Sequence, residues 1–201
     1  MFILFTLSII LPTDSPNIHI ASYTINTSLL KDGDVIFRRG TSFVSNMVLM
    51  VDEKSPYSHT GIIKRIDSAY FVIHSVPAEK PGEKDVTKIE SLTNFLIRDR
   101  ATAIAIYRLN FENDIIPIRA ANIADVFAKQ NIPFDSDFNL KDDSRLYCTE
   151  LVWKSYLLAG IDLVDNTFEN INIPLSKGPY ILPGTLLKSK YLKPIYSINF
   201  Q

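Results

Sequence analysis

Two strand-like stretches lie so close together in this chain that they have one natural partner each. Ser58 to Ile66 reads as a strand, and Ala69 to Val76, rich in aromatic and β-branched residues, reads as another. They form a hairpin turning around Ile66 and Asp67, in which residues whose numbers sum to 133 stand opposite each other. His59 and His74 are one such pair. The reading places them on one sheet face, with Cβ atoms about 4.5–5.5 Å apart. A slip of one residue would part them.

The rest of the chain supplies helices around such a sheet. Lys31 to Phe37 is a turn entering a strand, and Ser42 to Val51 has the apolar spacing of a short helix at Phe43, Met47, Met50 and Val51. Pro77 to Lys84 is a loop, Ile89 to Ile97 a short helical turn, and Ala101 to Leu109 a strand. Ile115 to Lys129 is a helix with Ala120, Ala121, Ala124 and Phe127 on one side. A polar loop through Asp135, Asp137, Asp142 and Asp143 leads to a second helix, Tyr147 to Ala159, which ends at Gly160. The last fifty residues carry much Pro and Gly and one strand near Ile195 to Phe200. Clustered strands flanked by separate helices indicate an α+β fold.

The length, 201 residues, suits one domain with a full core. Residues 1–21 are read as a signal peptide or N-terminal extension, and residues 22–201 as the domain. Met1 to Leu11 is an apolar run of signal-peptide length, too short to span a bilayer. It lacks a preceding basic residue, and Ala21-Ser22 is the best of poor cleavage sites; a buried strand or helix of the mature fold is the alternative. No other stretch reaches transmembrane length, so no stable membrane span is expected. Cleavage would make this an exported protein of the periplasm or cell envelope. An uncleaved chain would be cytoplasmic.

Net charge is −1, and the longest basic run is Arg38-Arg39. Phosphate binding needs a clustered basic face, so a nucleic-acid partner is disfavoured. With one cysteine there is no intramolecular disulfide, and Cys148 with His19, His59 and His74 does not readily make a structural metal site. No metal or other cofactor is expected.

Cys148 is then either a buried small hydrophobe or a reactive thiolate. Arg145-Leu-Tyr-Cys-Thr-Glu-Leu-Val-Trp153 puts it at a helix start, where free N–H groups and the helix dipole favour an anion and should lower its pKa. It begins the stripe Leu151, Val152, Tyr156, Ala159 and so faces inward. A buried inert cysteine would do the same. Among the histidines, His59 and His74 are the stronger partners. His59 as base and His74 as orienter follow triad logic; a satisfied polar residue in the core is the alternative for either.

Four pieces of sequence together resemble the YiiX/YaeF-type proteins, circularly permuted relatives of the NlpC-like papain-fold cysteine hydrolases. They are Asp32-Gly-Asp-Val-Ile-Phe-Arg38, Ser55-Pro-Tyr-Ser-His-Thr-Gly-Ile-Ile63, Ile132-Pro-Phe-Asp-Ser-Asp-Phe138 and Leu146-Tyr-Cys-Thr-Glu-Leu-Val152. The resemblance spans Lys31 to Tyr191. It implies a circularly permuted papain-like fold with a central antiparallel sheet packed against helices. It implies Cys148 as nucleophile, His59 as base and His74 as third member, where related proteins often carry Glu. Tyr147, Tyr57 and Glu150 become candidates for the oxyanion or substrate site, with a structural role in the helix as the alternative for Glu150. Asp135 would brace the loop that delivers Cys148. The implied activity is that of an amidase or peptidase acting on a small, cell-wall-derived peptide or an acylated amino acid. A lipid acyltransferase of the same permuted fold is the second reading. Phe43 to Val51 and Tyr180 to Leu187 would then line a lipid groove, although core packing explains them as well. A catalytically silent binding module is the third.

Overall fold

A computed structural model describes residues 25–79, 81–170 and 178–199. The possible signal peptide, residues 1–21, and His19 lie outside the described residues. Along the chain run β1 (Val35–Arg39), α1 (Phe43–Val51), β2 (His59–Ile66), β3 (Ala69–Val76), β4 (Val86–Ser91) and α2 (Leu92–Phe95). They are followed by β5 (Ala103–Leu109), α3 (Ile115–Lys129), α4 (Cys148–Ala159), β6 (Glu169–Asn170), β7 (Pro179–Tyr180), α5 (Pro183–Leu187) and β8 (Leu192–Asn199). Six of the strands form one antiparallel sheet in the order β4-β3-β2-β1-β5-β8. The fold is α+β, as expected.

The central strands are apolar at consecutive positions because both faces of the sheet are covered, and side chains alternate between the faces. Val35, Phe37, Ile62, Ile73 and Ala105 point to one face, under Leu151, Val152 and Tyr156 of α4. Ala120, Ala121 and Ala124 join that core from α3, where small side chains let the two helices approach closely. Ile36, Ile63, Val72, Ile104 and Ile106 point to the other face, against Leu92, Phe95 and Leu96. Gly160 takes φ 112° after the last turn of α4 and closes it, a conformation that costs a residue without Cβ little.

Three sequence expectations need correction. The hairpin forms with Ile66↔Ala69 and Ile62↔Ile73 as partners, so opposed residue numbers sum to 135 rather than 133. Asp67 sits at φ 55° in the two-residue turn that sets this register. His59 and His74 are therefore diagonal neighbours, not direct partners. An offset of two leaves both on the same face, because side-chain direction repeats every second residue. The segment read as a helical turn, Ile89 to Ile97, holds one at Leu92–Phe95, but its first three residues are strand. Val86–Ser91 is a strand paired with β3, and the helical turn α2 starts only after Ser91, whose hydroxyl accepts the Asn94 N–H at 3.3 Å. The helix Phe43–Val51 forms with Ser42 as its N-cap, but its expected apolar stripe is not core. Phe43, Met47 and Met50 are 78%, 47% and 79% exposed.

Candidate active site

Cys148 is the first residue of α4, and the sheet holds it in place. The β2–β3 ladder stops at Ile62↔Ile73, although β2 begins at His59 and β3 runs to Val76. Residues 146–148 contact both strand ends where the two strands no longer pair with each other. The Ser75 hydroxyl donates to the Leu146 carbonyl at 2.5 Å, and the Thr60 backbone N–H points to the Cys148 sulfur. From behind, the buried Asp135 carboxylate accepts the backbone N–H groups of Asp137, at 3.0 Å, and Asn139. Its own N–H donates to Leu146 O at 3.0 Å. Glu150, third in the helix, accepts the Tyr147 N–H at 3.3 Å and pairs with Lys154 at 2.9 Å.

His59 Nε2 lies 2.8 Å from His74 Nδ1. Gly61 makes this diagonal contact possible. A Cβ there would come within 2.6 Å of Val72 Cγ1, 2.8 Å of the Ile73 carbonyl and 3.1 Å of His74 Cβ. A side chain at 61 would occupy the space between the two rings' strands. Gly61→Ala is accordingly expected to cost about 1–3 kcal/mol by overpacking, with a drop in thermal midpoint of several degrees and a loss of turnover from displacement of His74. Calorimetry alongside kinetics checks this; an alanine variant as stable and active as the parent refutes the crowding.

Charge around the pair fixes which nitrogen carries a proton. His74 Nε2 approaches Glu90 Oε2 at 3.3 Å, off the line of a good hydrogen bond. A carboxylate there favours N–H over a lone pair, which leaves His74 Nδ1 to accept from His59 Nε2–H. His59 Nδ1 is then the basic nitrogen. Glu90 is held by Arg100 at 2.9 Å, and Arg100 also pairs with Glu79, which in turn binds Arg38. Arg38 is the β1 partner of His59, is 3% exposed and lies over the Phe95 ring at 4.5 Å.

These surroundings overturn one expectation. Burial pushes the Cys148 thiol up to about 11; the Thr60 N–H, the N–H groups at the helix start and Arg38 pull it down without prevailing. Burial, then Arg38, then His74, holds His59 well below its ordinary 6.5. His74 moves the same way through burial, Arg38, Lys88 and Arg100. The resting pair is a thiol beside a neutral imidazole. In a dry site desolvation of the anion outweighs the helix dipole.

Cys148 and His59 line one cavity of about 470 Å³, together with Arg38, Glu79, Arg100 and Phe138. Among the described residues no hydrogen bond joins Cys148 to His59; the shared cavity brings them together. His74 stands behind His59 and does not line it, and the other three sequence candidates also lie off its wall. The Tyr147 hydroxyl accepts the Ile181 N–H at 3.0 Å, Tyr57 packs on Phe37 in the core, and Glu150 is buried under the helix start. Spacing alone does not single out Arg38, Glu79, Glu90 or Arg100. Arg38 alone carries a signal: a cation at a buried position of the strand Val35–Arg39.

Among the described residues no group of three His, Cys, Asp or Glu is arranged to hold a metal ion, and no helix is long and apolar enough to cross a membrane. No curated protein matches the chain. Among solved structures, the chain is similar to the crystal structure titled as metalloprotein yiiX from Escherichia coli O157:H7. The two share 21% identity over 84% of this chain and 97% of that one, with a TM-score of 0.67, which shows the fold. Residues 29–196 match the family described as permuted papain-like amidase enzymes, YaeF/YiiX, C92. With a cysteine at a helix start, a histidine on a neighbouring strand and this match over most of its length, the chain belongs to the permuted papain-like amidase family YaeF/YiiX.

Proposed function

We propose that the protein hydrolyses an amide bond of a small peptide or an acylated amino acid, with Cys148 as nucleophile, His59 as base and His74 as its orienter. The observation that carries the reading is the 2.8 Å contact of the buried His74 with His59, which lines the cavity that also holds Cys148. The Cys148 proton passes to His59 Nδ1 as sulfur attacks the carbonyl carbon. The oxyanion is met by backbone N–H groups at the start of α4, which have no intrahelical acceptor. His59 returns the proton to the leaving amine, a thioester remains, and His59 then takes a proton from water to release the acid.

The neutral resting pair makes a specific pH signature. Protonation of His59 disables the base, so kcat/KM rises with pH through a value below 6.5. It then stays level above neutrality, because the thiol ionises only near 11. His74→Gln removes the ring that fixes the tautomer of His59. It is expected to lower kcat about 10²-fold and change KM little, consistent with the usual worth of general-base positioning. A pH–rate profile on short peptides and N-acyl amino acids tests both. A profile that falls above pH 7, or a His74→Gln enzyme with full kcat, sinks the assignment.

A further inference from the structure

Arg38 lines the cavity that holds Cys148, and its charge reaches the sulfur, which it draws toward the thiolate. Its guanidinium is only partly used. One arm donates to the Phe95 carbonyl at 3.4 Å and the other to Glu79, while the buried Nε–H has no hydrogen-bond partner among the described residues. A buried donor left unpaired is uncommon, and a group bound in the cavity would account for it. Glu79 joins three cations here, Arg38, Arg100 and Lys88. Two of the three have a carboxylate besides it: Arg100 pairs with Glu90 at 2.9 Å, and Lys88 with Glu83 at 3.4 Å. Arg38 has no second carboxylate within ion-pair distance among the described residues, and Glu90 acts on it only as a longer-range pull.

A carboxylate entering the cavity can therefore take the place of Glu79 on Arg38 while Glu79 keeps Arg100 and Lys88, and no ion is stranded. An entering cation would meet two guanidinium groups and find Glu79 already shared three ways. The other carboxylate of the lining, Asp99, is exposed, where an ion pair is worth little. We infer that Arg38 is the specificity-determining residue of this site and binds a carboxylate carried by the leaving amino acid of the substrate, in exchange for Glu79. Arg38 stands opposite His59 in the sheet, as an α-carboxylate stands next to the nitrogen that His59 protonates, and its fork matches a planar carboxylate. This rests on the amidase reading and narrows it: the bond cut is the last peptide bond of a peptide, or the amide of an N-acyl amino acid with its carboxylate free.

The test has two arms. The first reads the carboxylate site without any amide cleavage. Cys148, the single cysteine of the chain, is alkylated with iodoacetate and with iodoacetamide. In both reactions sulfur displaces iodide to give a thioether, and the thiol proton leaves to solvent. The reagents differ in charge, and the ratio of their rates cancels any change in the fraction of thiolate. Relative to the same ratio on glutathione, iodoacetate is expected to gain about 10- to 10²-fold on Cys148, the worth of a hydrogen bond to a charged group. Glu79→Gln removes the competing charge and is expected to raise the ratio further. Arg38→Met, alone or with Glu79→Leu to relieve the broken ion pair, is expected to return it to the glutathione value. In the second arm, acetyl-L-alanyl-L-alanine and its C-terminal amide are compared by cleavage of the same bond. The parent is expected to favour the acid in kcat/KM by about 10- to 10²-fold.

A parent labelling ratio equal to that of glutathione overturns the inference. So does a preference for iodoacetate that survives the loss of Arg38, a Glu79→Gln ratio below the parent's, or equal cleavage of acid and amide. The amidase reading fails separately: an Arg38-dependent preference for iodoacetate with no cleavage of either peptide keeps the carboxylate site and removes the hydrolysis. Cleavage of both peptides at one rate, with a flat labelling ratio, does the reverse.

Discussion

Replacing Cys148 with alanine is expected to lower kcat/KM by at least about 10⁴-fold and to leave the protein folded. Nucleophile removal in enzymes that act through a covalent intermediate costs on this order, because base and orienter then have nothing to activate. What remains is the binding and oxyanion contribution. Structurally the change is small. The sulfur lies at a helix start held by backbone contacts on both sides, and its loss leaves a void worth about 1 kcal/mol. The thermal midpoint should move by no more than about 2–4 °C. All thiol labelling should vanish as well, since no second cysteine exists. Calorimetry and single-turnover kinetics on the same preparation separate the outcomes. A folded alanine variant with substantial turnover would falsify the nucleophile assignment.

Arg38→Met is expected to have the largest effect on stability. Methionine keeps most of the stem volume and removes the guanidinium from a site where it is 3% exposed. Glu79 keeps Arg100 and Lys88 but loses its most buried partner, and the Phe95 ring loses the cation over its face. Breaking a buried ion pair from one side costs about 3–5 kcal/mol, which for a chain of this length lowers the midpoint by roughly 10 °C. Removing Glu79 as well (Glu79→Leu) should restore part of the stability, because a partly buried carboxylate left with only its two more exposed partners goes with it. Activity should not return. Arg38 is the cation that draws the Cys148 thiol downward, and the double variant still lacks it. Arg38→Lys keeps the charge without the fork and should fall between. If the single and double variants melt together with the parent, the buried network contributes nothing of this size.

The parts of this molecule that sequence disclosed are those with a local cause. Hairpin, helices and helix stop came from periodicity and turn residues, and α3 and β3 have the expected bounds. Cys148 and the two histidines were nameable because the chain has so few of either. What escaped depends on distant partners. Val86–Ser91 is a strand because the edge of β3 is there to pair with it, which its own residues do not announce. The hairpin register turned on the conformation of one residue, Asp67. The thiol pKa went the opposite way because burial is set by the whole fold and the helix start only by its neighbours. The Glu79–Arg100–Glu90 network joins residues from three separate stretches, and no spacing rule connects them.

The gap between β2 and β3 that receives residues 146–148 also orders events in time. The hairpin needs only a two-residue loop to close, and its histidines meet as soon as its strands do. The thiol arrives from nearly ninety residues further along the chain. Its contact with Thr60 is of the non-local kind that closes late, after the intervening segments have condensed. A refolding chain thus passes through a stage with a formed base and an absent nucleophile, its cysteine still in water and titrating as an ordinary thiol. Protection of that one sulfur from a fast alkylating pulse is then a clock for the last step of assembly, and return of activity should track it rather than the earlier recovery of β-sheet signal.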